Sequence, residues 1–317
     1  MKKTLRYRIL LLVFLVACFG WGIRRYNFSA LPNGGFGLGK VHQFLQRKPG
    51  PDKRTENPTI IGHRGVWIEL KGGRGGGGNT LESIQMAVDA DVDWIEVDVR
   101  KSKDGTLFLF HDEDVRRMTD AAKCFPDCTE WRFESFADKD IATLRVDYPG
   151  KGVTVPALAT VLTQFSSSSG TRFILDLKDD SITPDELRAA VGDLDPDQFI
   201  LFGREACLKL FAKKEKQSSG EKLYTLGYTA LWTEEWNKIK FLFSHDFLLR
   251  KCDELGCEYL VLPALFLNQS LIDRTHDSDR KVLAYGIDEK HPFKVTDLGV
   301  DGLIVDDPSE VIRKYAP

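Results

Sequence analysis

At 317 residues, 42% hydrophobic and 11% aromatic, the chain carries enough apolar material for one large α/β domain or two small ones, and its composition is not that of a disordered protein. The formal charge of -3 conceals an asymmetry: the first 25 residues hold six Lys or Arg and no acid, leaving 38 basic against 47 acidic residues in the remainder. A mildly acidic body lacks the basic stripe or patch that nucleic-acid binding needs, and that class is set aside.

The N-terminus, "MKKTLRYRILLLVFLVACFGWGIRRYNF", sets Lys2, Lys3, Arg6 and Arg8 before an apolar run too short for a comfortable transmembrane helix, which is the pattern of an export signal. Leu15-Val16-Ala17-Cys18 is similar to a bacterial lipobox, in which Cys18 would become the lipidated first residue. A run continuing from Ile9 to Ile23 reads equally well as an uncleaved signal anchor. Either reading puts the body outside the cytoplasm, tethered to a membrane through residues 1–25. Residues 26–57, rich in Gly, Pro and charge, read as the tether, and 58–317 as the folded body.

From Thr59-Ile60-Ile61 onward, strand and helix patterns alternate. "NTLESIQMAVDA" is helical, "WIEVDVR" and "RFILDLK" are strands, "PDELRAAVGDL" is helical and "QFILFG" is a strand. "EACLKLFAKK" (helix), "KLYTLGY" (strand), "EEWNKIKFLF" (helix), and the strands "EYLVLP", "KVLAYGI" and "DGLIVDD" complete the series. Such alternation implies parallel strands joined by crossover helices. "TLFLFHD" breaks the rule, because only Asp104-Gly105 separates it from the strand before, which is hairpin chemistry. Without it, strands starting near 59, 94, 172, 198, 222, 258, 281 and 302 number eight. Eight parallel strands in about 250 residues predict a (β/α)8 TIM barrel, with residues 112–155 as a small insertion after the His-Asp strand. An open doubly wound sheet is the alternative, but the first strand-to-helix loop lacks a compact Gly-x-Gly-x-x-Gly. Cys124 with Cys128, and Cys252 with Cys257, are close enough in sequence to pair in an oxidising compartment or to stay as buried thiols.

The chemistry concentrates at strand ends. Glu96 and Asp98 are two residues apart on one strand and share a face. A two-residue turn at Asp104-Gly105 would place His111 directly opposite Asp98. Two inward carboxylates repel each other unless a cation lies between them, and with no thiolate at hand a hard ion, Mg2+ or Ca2+, fits best. Asp176 in "FILDLK" can supply a third oxygen, and Lys178 on the same face can meet an anionic substrate.

These residues resemble the glycerophosphodiester phosphodiesterase family, whose pattern runs His-Arg-Gly, Pro-Glu-Asn-Thr, Glu-x-Asp-Val, Asp-Gly and His-Asp. The matching stretches are "GHRG", "GNTLES", "WIEVDVRKSKDG" and "LFLFHDEDVRRMTD", in the same order, with later matches at "VPALATVL", "LDLK" and "GVDGLIVDDP". The resemblance implies a (β/α)8 barrel, His63 and His111 as acid/base residues, Glu96 and Asp98 as metal ligands with Asp176 beside them, and Arg64 and Lys178 holding the phosphate. The chain departs from the family pattern in three places. Gly78 stands where a glutamate usually precedes Asn-Thr, so another acid such as Glu69 would have to compensate. Asp176 replaces a glutamate, as in sphingomyelinase D-like phospholipases, and Tyr285-Gly286-Ile287-Asp288 replaces Trp-Thr-Val-Asn, so that Tyr285 would help shape the substrate pocket.

The glycine-rich stretch before Asn79 is not a nucleotide-binding loop, since no Gly-Lys-Ser/Thr follows it. It reads as a loop at the barrel rim that ends where Asn79 or Thr80 can cap the next helix. The expected activity is metal-dependent hydrolysis of glycerophosphodiesters. Phospholipase D-type cleavage of lysophospholipids or sphingomyelin is the second reading, and a phospholipid head-group binding barrel without turnover is the third.

Overall fold

The computed structural model describes residues 57–67, 77–148, 151–218, 222–229 and 245–315. The proposed signal or anchor, the tether up to residue 56, Glu69 and the helix expected at "EEWNKIKFLF" lie outside the described residues.

Eight parallel strands close on themselves: β1 (Thr59–His63), β2 (Trp94–Lys101), β6 (Phe173–Leu177), β7 (Phe199–Gly203), β8 (Thr225–Thr229), β9 (Tyr259–Pro263), β10 (Lys281–Tyr285) and β11 (Gly302–Val305). Each pairs with the next, and β11 returns to β1, so the sheet is a barrel. The helices between them include α1 (Leu81–Asp89), α5 (Pro184–Val191) and α6 (Glu205–Gln217). Both α1 and α5 start at a threonine whose hydroxyl accepts the third amide of the helix while that residue's side chain answers the cap amide, and Pro184 adds a first-turn residue with no amide to lose.

Period-two alternation along the strands separates two apolar layers. Ile61, Ile174, Ile200, Phe202, Val261, Leu283 and Ile304 fill the barrel interior, while their strand neighbours, Ile95, Val97, Leu175 and Leu201 among them, pack outward against the helices. A third cluster, around Phe108, Phe110, Phe133, Ile141, Leu144 and Val146, is the core of the segment after His111. That segment holds a two-stranded antiparallel sheet, β4 (Arg145–Tyr148) with β5 (Lys151–Thr154).

The short strand β3 (Leu107–Leu109) runs antiparallel to β2, as its short connection required, but in a different register. Val99 faces Leu109 and Lys101 faces Leu107, and the amide of Phe110 reaches the carbonyl of Asp98, so Asp98 lies opposite Phe110 and not His111. The turn holds three residues, with Gly105 at φ 95°, because Ser102 closes the ladder onto Thr106. A one-residue slip puts His111 on the other face of a continued strand. The histidine reaches the site only because the chain leaves the strand before it.

Five cysteines fall in the described residues, and all are free thiols, with Cys207, Cys252 and Cys257 buried. Among the described residues no helix is long and apolar enough to cross a membrane.

Candidate active site

Strand register sets the site at the C-terminal end of the barrel. His63 ends β1 level with Glu96, and Asp98 is level with Asp176 on the next strand. β1 stops at His63, so the rest of β2 rises above the barrel, where β3 takes over as its partner and carries the chain to His111. His63, Arg64, His111, Lys178 and Tyr285 line one cavity of about 650 Å³ together with the three carboxylates.

The loop after β1 is shaped by Glu96. Arg64 adopts a left-handed conformation (φ 57°), and its amide donates to Glu96 Oε2 at 2.9 Å. Gly65 follows at φ 81°, and any Cβ there would come within 2.5 Å of the Ser83 backbone, so the Arg-Gly turn tolerates no side chain at its second position.

Each histidine is oriented by a carboxylate. His63 Nδ1 lies 2.6 Å from Asp306 Oδ1, and His111 Nδ1 lies 2.7 Å from Asp112 Oδ1. Asp112 also accepts from the Arg117 guanidinium. Burial alone would raise the Asp112 pKa, but the bonds from His111 and Arg117 outweigh it and bring it down to about 2. A carboxylate accepts, so Nδ1 carries the hydrogen in each neutral ring and Nε2 is the free nitrogen. Burial lowers the His63 pKa below its ordinary value, opposed by Asp306, so the ring is neutral at neutral pH. Arg100 holds the His111 main chain, donating from Nε to its carbonyl at 3.0 Å while pairing with Asp179.

Glu96, Asp98 and Asp176 each offer one oxygen within 4.8 Å of the others. Asp98 is almost fully enclosed; Asn79 donates to its Oδ2 at 2.7 Å and accepts its amide at 3.0 Å. Arg64 Nε lies 3.0 Å from Asp98 Oδ2 and Lys178 Nζ 2.7 Å from Asp98 Oδ1. Neither contact is aligned as a hydrogen bond, so Arg64 Nε and Asp98 Oδ1 are left buried without a hydrogen-bond partner. Lys178 also pairs with Asp176. Burial would lower the Lys178 pKa and raise that of Asp98, yet the flanking charges prevail: the lysine is pushed up and Asp98 held well below the carboxylate range. Glu96 goes the other way, its pKa raised by burial and then by the charge of Asp98. Three convergent carboxylates, one with a buried unbonded oxygen and one that resists ionisation, suit a hard divalent cation with oxygen ligands.

The structure thus brings together His63, Arg64, Glu96, Asp98, His111, Asp176, Lys178 and Tyr285, while Glu69 lies outside the described residues. Sequence reasoning missed Asp306, Asp112, Asn79 and Arg100. Asn79, one of the two candidate caps of the next helix, bonds Asp98 instead, and Thr80 is the cap.

A barrel with paired, carboxylate-oriented histidines above a carboxylate cluster and beside a buried arginine is built to receive an anion and move protons around it. Residues 63–310 match the glycerophosphoryl diester phosphodiesterase family, and the chain belongs to that family. It is 41% identical over 69 residues to the glycerophosphodiester phosphodiesterase domain-containing protein 5 of Gallus gallus, a match covering 22% of this chain and only 10% of that protein. It is 24% identical over 242 residues to the glycerophosphodiester phosphodiesterase GDPD4 of Arabidopsis thaliana, covering 73% of this chain and 67% of the relative. Among solved structures, an Oleispira antarctica phosphodiesterase in complex with the product sn-glycerol-3-phosphate superposes with a TM-score of 0.60 at 21% identity, covering 81% of this chain and 96% of that one, a likeness of fold.

Proposed function

We propose that this chain is a metal-dependent phosphodiesterase that hydrolyses glycerophosphodiesters to glycerol phosphate and an alcohol. One observation carries the reading: two histidines, each fixed through Nδ1 by its own carboxylate, share a cavity with three convergent acids and with Arg64 and Lys178. The family match and the glycerol phosphate complex of the Oleispira protein support this substrate class.

A phosphodiester is an anion that repels nucleophiles, so the site must first offset its charge. Arg64 and Lys178 face the cavity and do this for the non-bridging oxygens. Glu96, Asp98 and Asp176 would hold the divalent ion, which when bound supplies Lewis-acid polarisation of the phosphoryl group. His63, neutral through burial, accepts through Nε2 a proton of the attacking water, and the Nδ1 hydrogen bond to Asp306 steadies the imidazolium that forms. His111 in its protonated form delivers its Nε2 proton to the departing alkoxide. The P–O bond to the alcohol breaks as the bond to the water oxygen forms, and exchange with solvent then takes the added proton from His63 and returns one to His111.

Substitution of His63 or His111 by Ala should lower turnover of sn-glycero-3-phosphocholine at least a hundredfold with the fold retained by circular dichroism. Retained turnover in both variants would overturn the assignment. The N-terminal sequence supports tethering to a membrane outside the cytoplasm, which fractionation of cells carrying the full chain against a Cys18→Ala variant would test: release of the variant supports lipidation, and unchanged retention supports an anchor.

A further inference from the structure

The acid–base chemistry leaves one contact in the loop after β1 unused. The Arg64 side chain is only 11% exposed, yet among the described residues its guanidinium makes no hydrogen bond, and its ion pair is the poorly aligned one with Asp98. What it does have is a stacking partner: the guanidinium carbon lies 4.6 Å from the centre of the Trp67 ring.

Trp67 is held from several sides. Its amide donates to the carbonyl of Asp306 at 3.2 Å, and its side chain packs on the core cluster of the segment after His111. Its ring also lies against the backbone of Gly78. A Cβ at that position would come 2.7 Å from Trp67 Cε3 and 2.8 Å from Arg64 Cβ, both closer than real carbons approach. Any side chain at position 78 therefore displaces the indole, the arginine or both.

We propose that Trp67 is a positioning residue whose indole face holds the Arg64 guanidinium at the cavity wall, ready for a phosphate oxygen, and that Gly78 is glycine to make room for it. The proposal rests on the phosphodiesterase reading. The pair with Asp98 reaches only Nε and is poorly aligned, and a further carboxylate partner would occupy the remaining N–H donors and cancel charge. An aromatic face orders the guanidinium while leaving its donors for the ligand, so less conformational freedom is lost on binding. Gly78, where the sequence departs from the resembling pattern, is on this account the space in which Trp67 and Arg64 stack.

The test is calorimetric titration of the full chain, with Mg2+ or Ca2+ supplied, by sn-glycerol 3-phosphate and by inorganic phosphate. Trp67→Phe, which keeps a ring, should bind within about threefold of the unaltered protein, whereas Trp67→Leu, which keeps apolar bulk without a π face, should lose about tenfold. Gly78→Ala should weaken binding in the same direction with Arg64 and Trp67 both present. The double variant W67L/G78A should lose less than the sum of the two, since both act through one contact. Unchanged affinity in folded W67L overturns the role of Trp67, and if W67L does not fold, unchanged affinity in G78A does so. Failure of the unaltered chain to bind either phosphate ligand with either metal would overturn the phosphodiesterase reading itself, and this proposal with it.

Discussion

Removing the Asp306 carboxylate isolates what orientation of His63 contributes. Asp306 Oδ1 lies 2.6 Å from His63 Nδ1, and the bond strengthens as the ring gains its proton during reaction. A hydrogen bond to a charged group is worth about 1.5–3 kcal/mol, and the Asp306 side chain is 53% exposed, so the lower end applies. Asp306→Ala should therefore lower kcat about tenfold, since about 1.4 kcal/mol is one decade in rate. The pH profile carries a second signature. Burial lowers the His63 pKa and Asp306 raises it, so removing Asp306 lowers it further. As the base acts only when neutral, the acid limb of kcat/KM should move to lower pH in the variant. The assay is release of sn-glycerol 3-phosphate from glycerophosphocholine across pH 4.5–9, values chosen as roughly two units either side of an ordinary histidine. A variant within threefold of the unaltered chain, with an unmoved acid limb, would refute the orienting role.

Three further outcomes are expected. Because burial and the charge of Asp98 raise the Glu96 pKa, protons compete with a metal for this carboxyl up to a higher pH than at an ordinary glutamate, so metal affinity should rise with pH until Glu96 is ionised, with proton release visible as buffer-dependent binding heats. Lys178→Met should cost about 3 kcal/mol in EDTA, because it strands Asp176 without its cation and leaves Asp98 with Arg64 alone, and Mg2+ or Ca2+ should recover much of the loss in a denaturant titration. Phe211→Ala, on the buried face of α6 and edge-on to Tyr224 at 5.3 Å, should destabilise by about 3–5 kcal/mol while the surviving folded fraction keeps its kcat.

The barrel was legible because its strands are short apolar runs at regular spacing, and such runs have one use when helices alternate with them. The carboxylates were legible because two-residue spacing and strand-end position are local properties. What stayed hidden is non-local. Asp306 neighbours His63 only because the last strand closes onto the first, with Gly62 level with Val305, and the closure itself could have pointed to it. The position of His111 was reached through a wrong register: a three-residue turn at Lys103-Asp104-Gly105 reads much like a two-residue one, yet shifts every cross-strand partner. Trp67 and Gly78 could not have been linked, since their contact depends on where a loop folds back and on the packing of the following segment.

On the proposed reading, the carboxylate cluster and the histidine pair together cleave a phosphodiester. The direct measurement is turnover of glycerophosphocholine by the full chain after EDTA treatment, and again with Mg2+ or Ca2+ restored. The expected result is no release of sn-glycerol 3-phosphate in EDTA and its return with metal in the unaltered chain but not in His111→Ala. Full turnover in EDTA, or none with either metal in a folded sample, would contradict it.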